Sequence, residues 1–199
     1  MDAVRVALLR EVLAGTEWLG ATRRFAGALR GSVVTHGGGL LLLGTPDYEP
    51  WHLAAHLVDE AAWSGTPELA PTLVRHDARP TDPAHLAVGP GRIEAARRGE
   101  TLLVVAPGES APLLDHVHTA RRAGVTVLAL SATADDALTA MAHETLTVPE
   151  GAELDLDTVQ HLVSAATGEN GPSPRTRRRF RDRLSRLAET ITAPPPTSW

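Results

Sequence analysis

The stretch Gly99-Glu-Thr-Leu-Leu-Val-Val-Ala-Pro-Gly-Glu-Ser-Ala-Pro-Leu-Leu-Asp-His-Val-His-Thr-Ala-Arg-Arg-Ala-Gly-Val-Thr-Val-Leu-Ala-Leu130 decides the fold. Thr101 to Val105 is an apolar run without polar alternation, the pattern of a strand covered on both faces. A short loop containing Gly108 follows. Leu113, Leu114, Val117 and Ala120 then recur at helical spacing along one face, and Gly124 stops that helix. Val125 to Leu130 is a second buried strand. Strand, loop, helix and strand make a βαβ unit, and the loop after such a strand is where open α/β sheets hold ligands.

The same grammar extends outward in both directions. Leu40-Leu41-Leu42-Leu43 follows three glycines and reads as another buried strand. A loop from Gly44 to Glu49 leads into a helix opening at Pro50, where the missing amide hydrogen costs nothing, and running to about Trp63. Thr72 to Arg75 is a short strand, residues 78–90 are a Pro-rich loop, and Ile93 to Arg98 is a short helix. Beyond the opening unit come a small helix (Ala134 to Met141), a fifth strand (Thr145 to Val148) and an amphipathic helix (Leu156 to Thr167). Residues 2–30 form a leading helix with an uneven apolar stripe, which Gly15 and Gly20 weaken and can split. Gly168 to Pro174 breaks the chain before an Arg-rich helix from Arg175 to Ile191 and a Pro-rich tail. Strands alternating with helices predict an α/β fold: a three-layer α/β/α, doubly wound, five-stranded parallel sheet with flavodoxin-like strand order. The expected divisions are 1–31, an N-terminal helix; 32–168, the α/β domain; and 169–199, the basic helix and tail.

Composition narrows the chemistry. The 199 residues are 43% hydrophobic and 22% charged, ordinary for a globular protein. No apolar run reaches the ~20 residues that cross a bilayer, and the N-terminus lacks a basic region followed by an apolar core, so a cytoplasmic protein away from membranes is expected. The absence of Cys excludes disulfides, thiolate metal sites and Cys nucleophiles. Every basic residue is Arg, which also excludes Lys Schiff-base and P-loop chemistry. The net charge of -5 is uneven: seven Arg against Asp182 and Glu189 give residues 172–191 a charge of +5, leaving -10 on the remainder. That basic helix carries Phe180, Leu184, Leu187 and Ile191 at i, i+4, i+7 and i+11, which suits packing on a domain or partner better than nucleic acid.

The βαβ unit, its loop and the segment Ala142-His-Glu-Thr-Leu-Thr-Val-Pro149 resemble the sugar isomerase (SIS) domain, in particular its phosphoheptose isomerase branch, over about residues 1–167. The resemblance implies a leading helix used in oligomerisation, a homodimer or homotetramer, and a sugar phosphate held by a Ser-rich loop at a helix N-terminus. It places the ligand-binding positions on Gly44, Thr45, Asp47 and Tyr48 after the first strand, on Asp77, and on Gly108, Glu109 and Ser110 after the third. Both loops depart from the family pattern. Pro107 has no amide hydrogen to give, and Glu109 sets a carboxylate where a phosphate would sit, a repulsion of about 4 kcal/mol at 4 Å in an effective dielectric of 20. In the first loop, Gly44-Thr-Pro-Asp-Tyr48 replaces an amide-rich G-N-G-G-S turn.

Histidines supply the other signal. Glu49, His52 and His56 share one face of the helix opening at Pro50. His52 stands where phosphoheptose isomerases carry a zinc-ligand His, and His56 where they carry a Glu ligand. Their remaining Gln and His ligands meet Gln160 and Gly168, with His161 adjacent to the former. No cofactor is required by this reading, but His52, His56, Gln160 and His161 are the candidate zinc ligands. His52 and His56 are also the candidate acid–base pair for an aldose–ketose proton shift. Three functions follow. The first is a carbohydrate-derivative-binding protein with a degenerate phosphate loop, non-catalytic or regulatory. The second is a metal-assisted phosphosugar isomerase. The third is an oligomeric scaffold for a protein partner.

Overall fold

The computed structural model describes residue 9 and residues 11–134, 136–149, 151–152 and 154–169. In chain order the elements are α1 (Glu17–His36), β1 (Leu40–Leu43), α2 (Trp51–Ser64), β2 (Pro71–Val74), α3 (Gly91–Glu94), β3 (Thr101–Ala106), α4 (Ala111–Arg122), β4 (Thr126–Ser131), α5 (Ala137–Met141), β5 (Glu144–Thr147) and α6 (Leu156–Glu169). All five strands are parallel, in the order β2-β1-β3-β4-β5. The doubly wound sheet expected from sequence is therefore the fold, with its switch point between β1 and β3.

The strands lack alternation because helices cover both faces. Leu40, Leu42, Leu103, Val105, Leu128 and Leu130 point to a layer formed by α1, α2 and α6. Leu41, Leu43, Leu102, Val104, Val127 and Ala129 point to α3, α4 and α5 on the other side. Every residue of β1 and β3 is buried.

Three boundaries differ from the sequence reading, each for a local reason. The leading helix is not continuous over 2–30: Gly15 sits at φ 87°, so the chain turns there, and α1 starts after Thr16 and runs on to a left-handed Gly37. It crosses the expected division at residue 31 and buries Phe25, Leu29 and Val33 in the core. The helix before β3 is shorter, Gly91–Glu94. Gly168 does not break α6. It is buried inside the helix, and a Cβ there would lie 1.9 Å from the Glu60 Oε2 atom, so the glycine makes room for a neighbour. The predicted Arg-rich helix and Pro-rich tail lie outside the described residues. No described helix is long and apolar enough to cross a membrane.

Candidate metal centre

The helix α2 begins directly after Pro50, so His52 and His56, one turn apart, project from one face. The N-terminal half of α6 brings His161 against them. The ring centroids of His52 and His56 are 4.6 Å apart, those of His56 and His161 4.6 Å, and those of His52 and His161 4.7 Å. Each ring offers a nitrogen, and these three atoms lie within 4.8 Å of one another. His161, adjacent to Gln160 in sequence, was among the candidate ligands. The helix α6 turns both Gln160 and its neighbour His161 toward the same recess.

Burial sets the charge state of His56. His56 is 7% exposed, and neither of its ring nitrogens has a hydrogen-bond partner. Desolvation, with the nearby His161 and His52, lowers its pKa to about 4. It is therefore a neutral imidazole at pH 7, a form suited to binding a metal and ill-suited to donating a proton. An unsatisfied buried polar group costs about 1–3 kcal/mol, and His56 carries two such nitrogens.

A polar wall borders the histidines. The Tyr48 hydroxyl donates to Asp157 Oδ1 at 2.7 Å. Gln160 Nε2 donates to the Tyr48 hydroxyl at 2.8 Å and to Asp157 Oδ1 at 3.0 Å. Burial, outweighing the Gln160 hydrogen bond and assisted by Asp157, pushes the Tyr48 pKa up to about 12. Gln160 Oε1 is buried and has no partner, leaving an oxygen acceptor on the pocket wall. His52, Leu53, His56, Asp157, Gln160 and His161 line a shallow recess that opens to solvent.

These residues fit a divalent transition metal. Three imidazoles match the His₃ set of an open zinc site, and nitrogens sharing a zinc at about 2.0–2.1 Å stand ~3.3 Å apart, within side-chain rotation of the observed spacing. Gln160 would add the oxygen donor expected from the sequence.

The loops expected to bind a ligand do other work. In the first, Thr45 and Tyr48 exchange backbone hydrogen bonds of 2.9 and 3.1 Å, closing a tight turn over Pro46 and Asp47. The Thr45 and Tyr48 amides are thereby spent. Gly44 lies so close to this turn that a Cβ would fall 1.9 Å from the Tyr48 carbonyl oxygen. In the second loop, the Ser110 hydroxyl caps α4 by accepting from the Leu113 amide at 3.4 Å. Glu109 Oε1 accepts from the Leu138 amide at 2.6 Å, so the carboxylate caps α5. Gly108 has no partner among the hydrogen bonds described, and a Cβ there would meet nothing within 4 Å. Asp77 is exposed and pairs with Arg79 at 3.4 Å. Glu49, expected on the histidine face, precedes the helix and instead pairs with Arg75 at 3.0 Å. Gly168, the position where the resemblance implied a further His ligand, faces Glu60. His76 was not singled out as a site residue; its Nε2 contacts the Gly44 carbonyl at 3.0 Å.

No protein-family model and no curated protein matches the sequence. Solved structures do match its fold. The sugar isomerase domain of the RpiR transcription factor from Sphaerobacter thermophilus superposes with a TM-score of 0.56 at 15% identity, covering 94% of this chain and 99% of its own. The Vibrio vulnificus NanR protein, complexed with ManNAc-6P, gives 0.50 at 11% identity, covering 96% and 75%. An E. coli CFT073 protein in complex with a phosphosugar gives 0.50 at 11% identity, covering 92% and 100%. The likeness is one of fold.

Proposed function

We propose that this chain binds a carbohydrate derivative, and that a divalent metal on His52, His56 and His161 anchors the ligand in place of the two phosphate loops. The observation that carries this reading is the buried His56 imidazole, neutral at pH 7 with both nitrogens unpaired, in a cluster of three rings. A zinc ion held there supplies a Lewis-acidic point for hydroxyl, carbonyl or phosphoryl oxygens. The chain's own groups complete the recognition: Asp157 accepts hydrogen bonds from sugar hydroxyls, and Gln160 Oε1 offers a second acceptor. The ligand lies at the mouth of the shallow recess these residues line, against the metal, with most of it outside.

Two lines support a sugar derivative as that ligand. The fold is shared with a sugar isomerase domain and with two proteins solved in complex with phosphosugars, one of them ManNAc-6P. In the turn after β1 the Thr45 and Tyr48 amides bond each other, and after β3 Ser110 caps α4 while Glu109 caps α5, which supports giving the anchoring role to another group. Asp157 beside the unprotonated His56 also supports a second reading, metal-assisted isomerisation of a phosphosugar.

Calorimetric titration of a panel of sugar phosphates and neutral sugars into the zinc-loaded and the chelator-treated protein tests the proposal. Binding that needs the metal is expected. Equal affinity with and without metal contradicts it. Proton NMR of any bound phosphosugar distinguishes binding from isomerisation.

A further inference from the structure

Gln160 is 2% exposed, and its amide has two unlike ends, a nitrogen that donates and an oxygen that accepts. The nitrogen faces three acceptors: the Tyr48 hydroxyl at 2.8 Å, the Asp157 carboxylate at 3.0 Å and the Leu156 carbonyl at 3.3 Å. A carboxylate and a carbonyl have no hydrogen to give, so neither tolerates the amide oxygen in the nitrogen's place. Tyr48 is the one neighbour of the three able to donate or accept, and its single hydrogen goes to Asp157 at 2.7 Å. Its lone pairs then admit only the amide nitrogen. The oxygen is left on the wall of the recess that His52, His56 and His161 share, buried and without a partner.

We propose that Tyr48 is a positioning residue of the histidine centre, a role that rests on the metal reading above: its hydroxyl fixes the Gln160 amide with the oxygen, and not the NH₂ group, toward the three imidazoles. Reversed, the amide would set its hydrogens against a divalent cation. Held as it is, it gives an open set of three imidazoles an oxygen donor that needs no rearrangement on binding. Tyr48 is itself held from behind. Its backbone amide donates to the Thr45 carbonyl at 3.1 Å, and its carbonyl accepts from the Thr45 amide at 2.9 Å. Gly44 leaves room for that carbonyl, since a Cβ there would fall 1.9 Å from it. The turn after β1, whose amides bond internally, thus acts on the site through one hydroxyl, which reaches across to a residue of α6 112 positions further along the chain.

Competition for zinc between the full chain and a chromogenic chelator tests this. Residues that hold a metal's ligands in place are worth about 10–100-fold in metal affinity, so Tyr48→Phe, which keeps the ring and removes the hydroxyl, should weaken zinc binding by that factor. Gln160→Leu should also weaken it, and in that background Tyr48→Phe should change nothing further, because the group it positions is gone. A merely structural role for Tyr48 would make the two losses add. The orientation is read separately in the metal-free protein by nitrogen-15 NMR. The Gln160 side-chain hydrogens should exchange slowly with water in the parent and quickly in Tyr48→Phe. Equal zinc affinity in Tyr48→Phe and parent, additive losses, or equal exchange in the two proteins overturns the proposal and leaves the metal reading standing. A parent that takes up no zinc overturns both.

Discussion

The imidazoles of His56 and His161 meet across the junction of α2 and α6, ring centroids 4.6 Å apart, although they lie far from each other along the chain. Neither helix alone makes a site. The parallel sheet order carries α6 back over β1 and β3, where it packs beside α2, and that return closes the cluster. The site therefore depends on the fold being complete, and its nearest polar neighbours come from the loop after β1 and the start of α6.

Tyr48 is the only tyrosine, so its ionisation can be followed directly in the ultraviolet. The phenol should titrate near 12, because burial disfavours its anion. The folded pKa exceeds the unfolded value of about 10, so this group's stabilisation is fully present below pH 10 and is lost as pH rises from 10 to 12. Asp157→Asn removes one of the charges that raise the value and should move the titration downward. A midpoint at 10 in the folded parent would place Tyr48 in water.

Gly44→Ala should destabilise the protein, because the added Cβ falls 1.9 Å from the Tyr48 carbonyl oxygen and 2.7 Å from the Pro50 ring. Overpacking of this kind costs about 1–3 kcal/mol, or roughly 3–10 °C in Tm for a chain of this size. Gly27→Ala, in the middle of α1 with nothing within 4 Å of its Cβ, should act oppositely and stabilise by up to ~1 kcal/mol. Thermal melts of the two variants against the parent check both signs.

Glu109→Ala should leave the Leu138 amide without its acceptor and cost about 1 kcal/mol, read as a lowered urea midpoint. Glu109→Gln keeps an acceptor oxygen and should lose less. Equal midpoints in all three proteins would mean that Glu109 does not cap α5.

The strands were legible because runs such as Leu40–Leu43 and Thr101–Val105 have no polar alternation, which two covered faces demand. His52 and His56 were legible because four-residue spacing fixes a shared helix face. The role of His161 was harder to read. Its contact depends on how α6 rotates against α2, a packing property with no local signature. The closed turn over Pro46 and Asp47 was equally hidden, since it follows from the Thr45–Tyr48 bridge. Glu49 carried a misleading signal: it shares the helical spacing of the histidines but lies before Pro50, where Arg75 claims it. Gly168 looked like a helix stop because glycine usually is one, whereas here it admits Glu60.

The most direct test of the metal centre is the metal content of the purified, extensively dialysed protein, measured by mass spectrometry beside a His161→Ala variant. The account predicts about one zinc or similar transition-metal ion per parent chain and a large loss in the variant, with the circular dichroism spectrum retained. A parent that holds no metal after zinc loading, or a His161→Ala protein that holds as much as the parent, would contradict it.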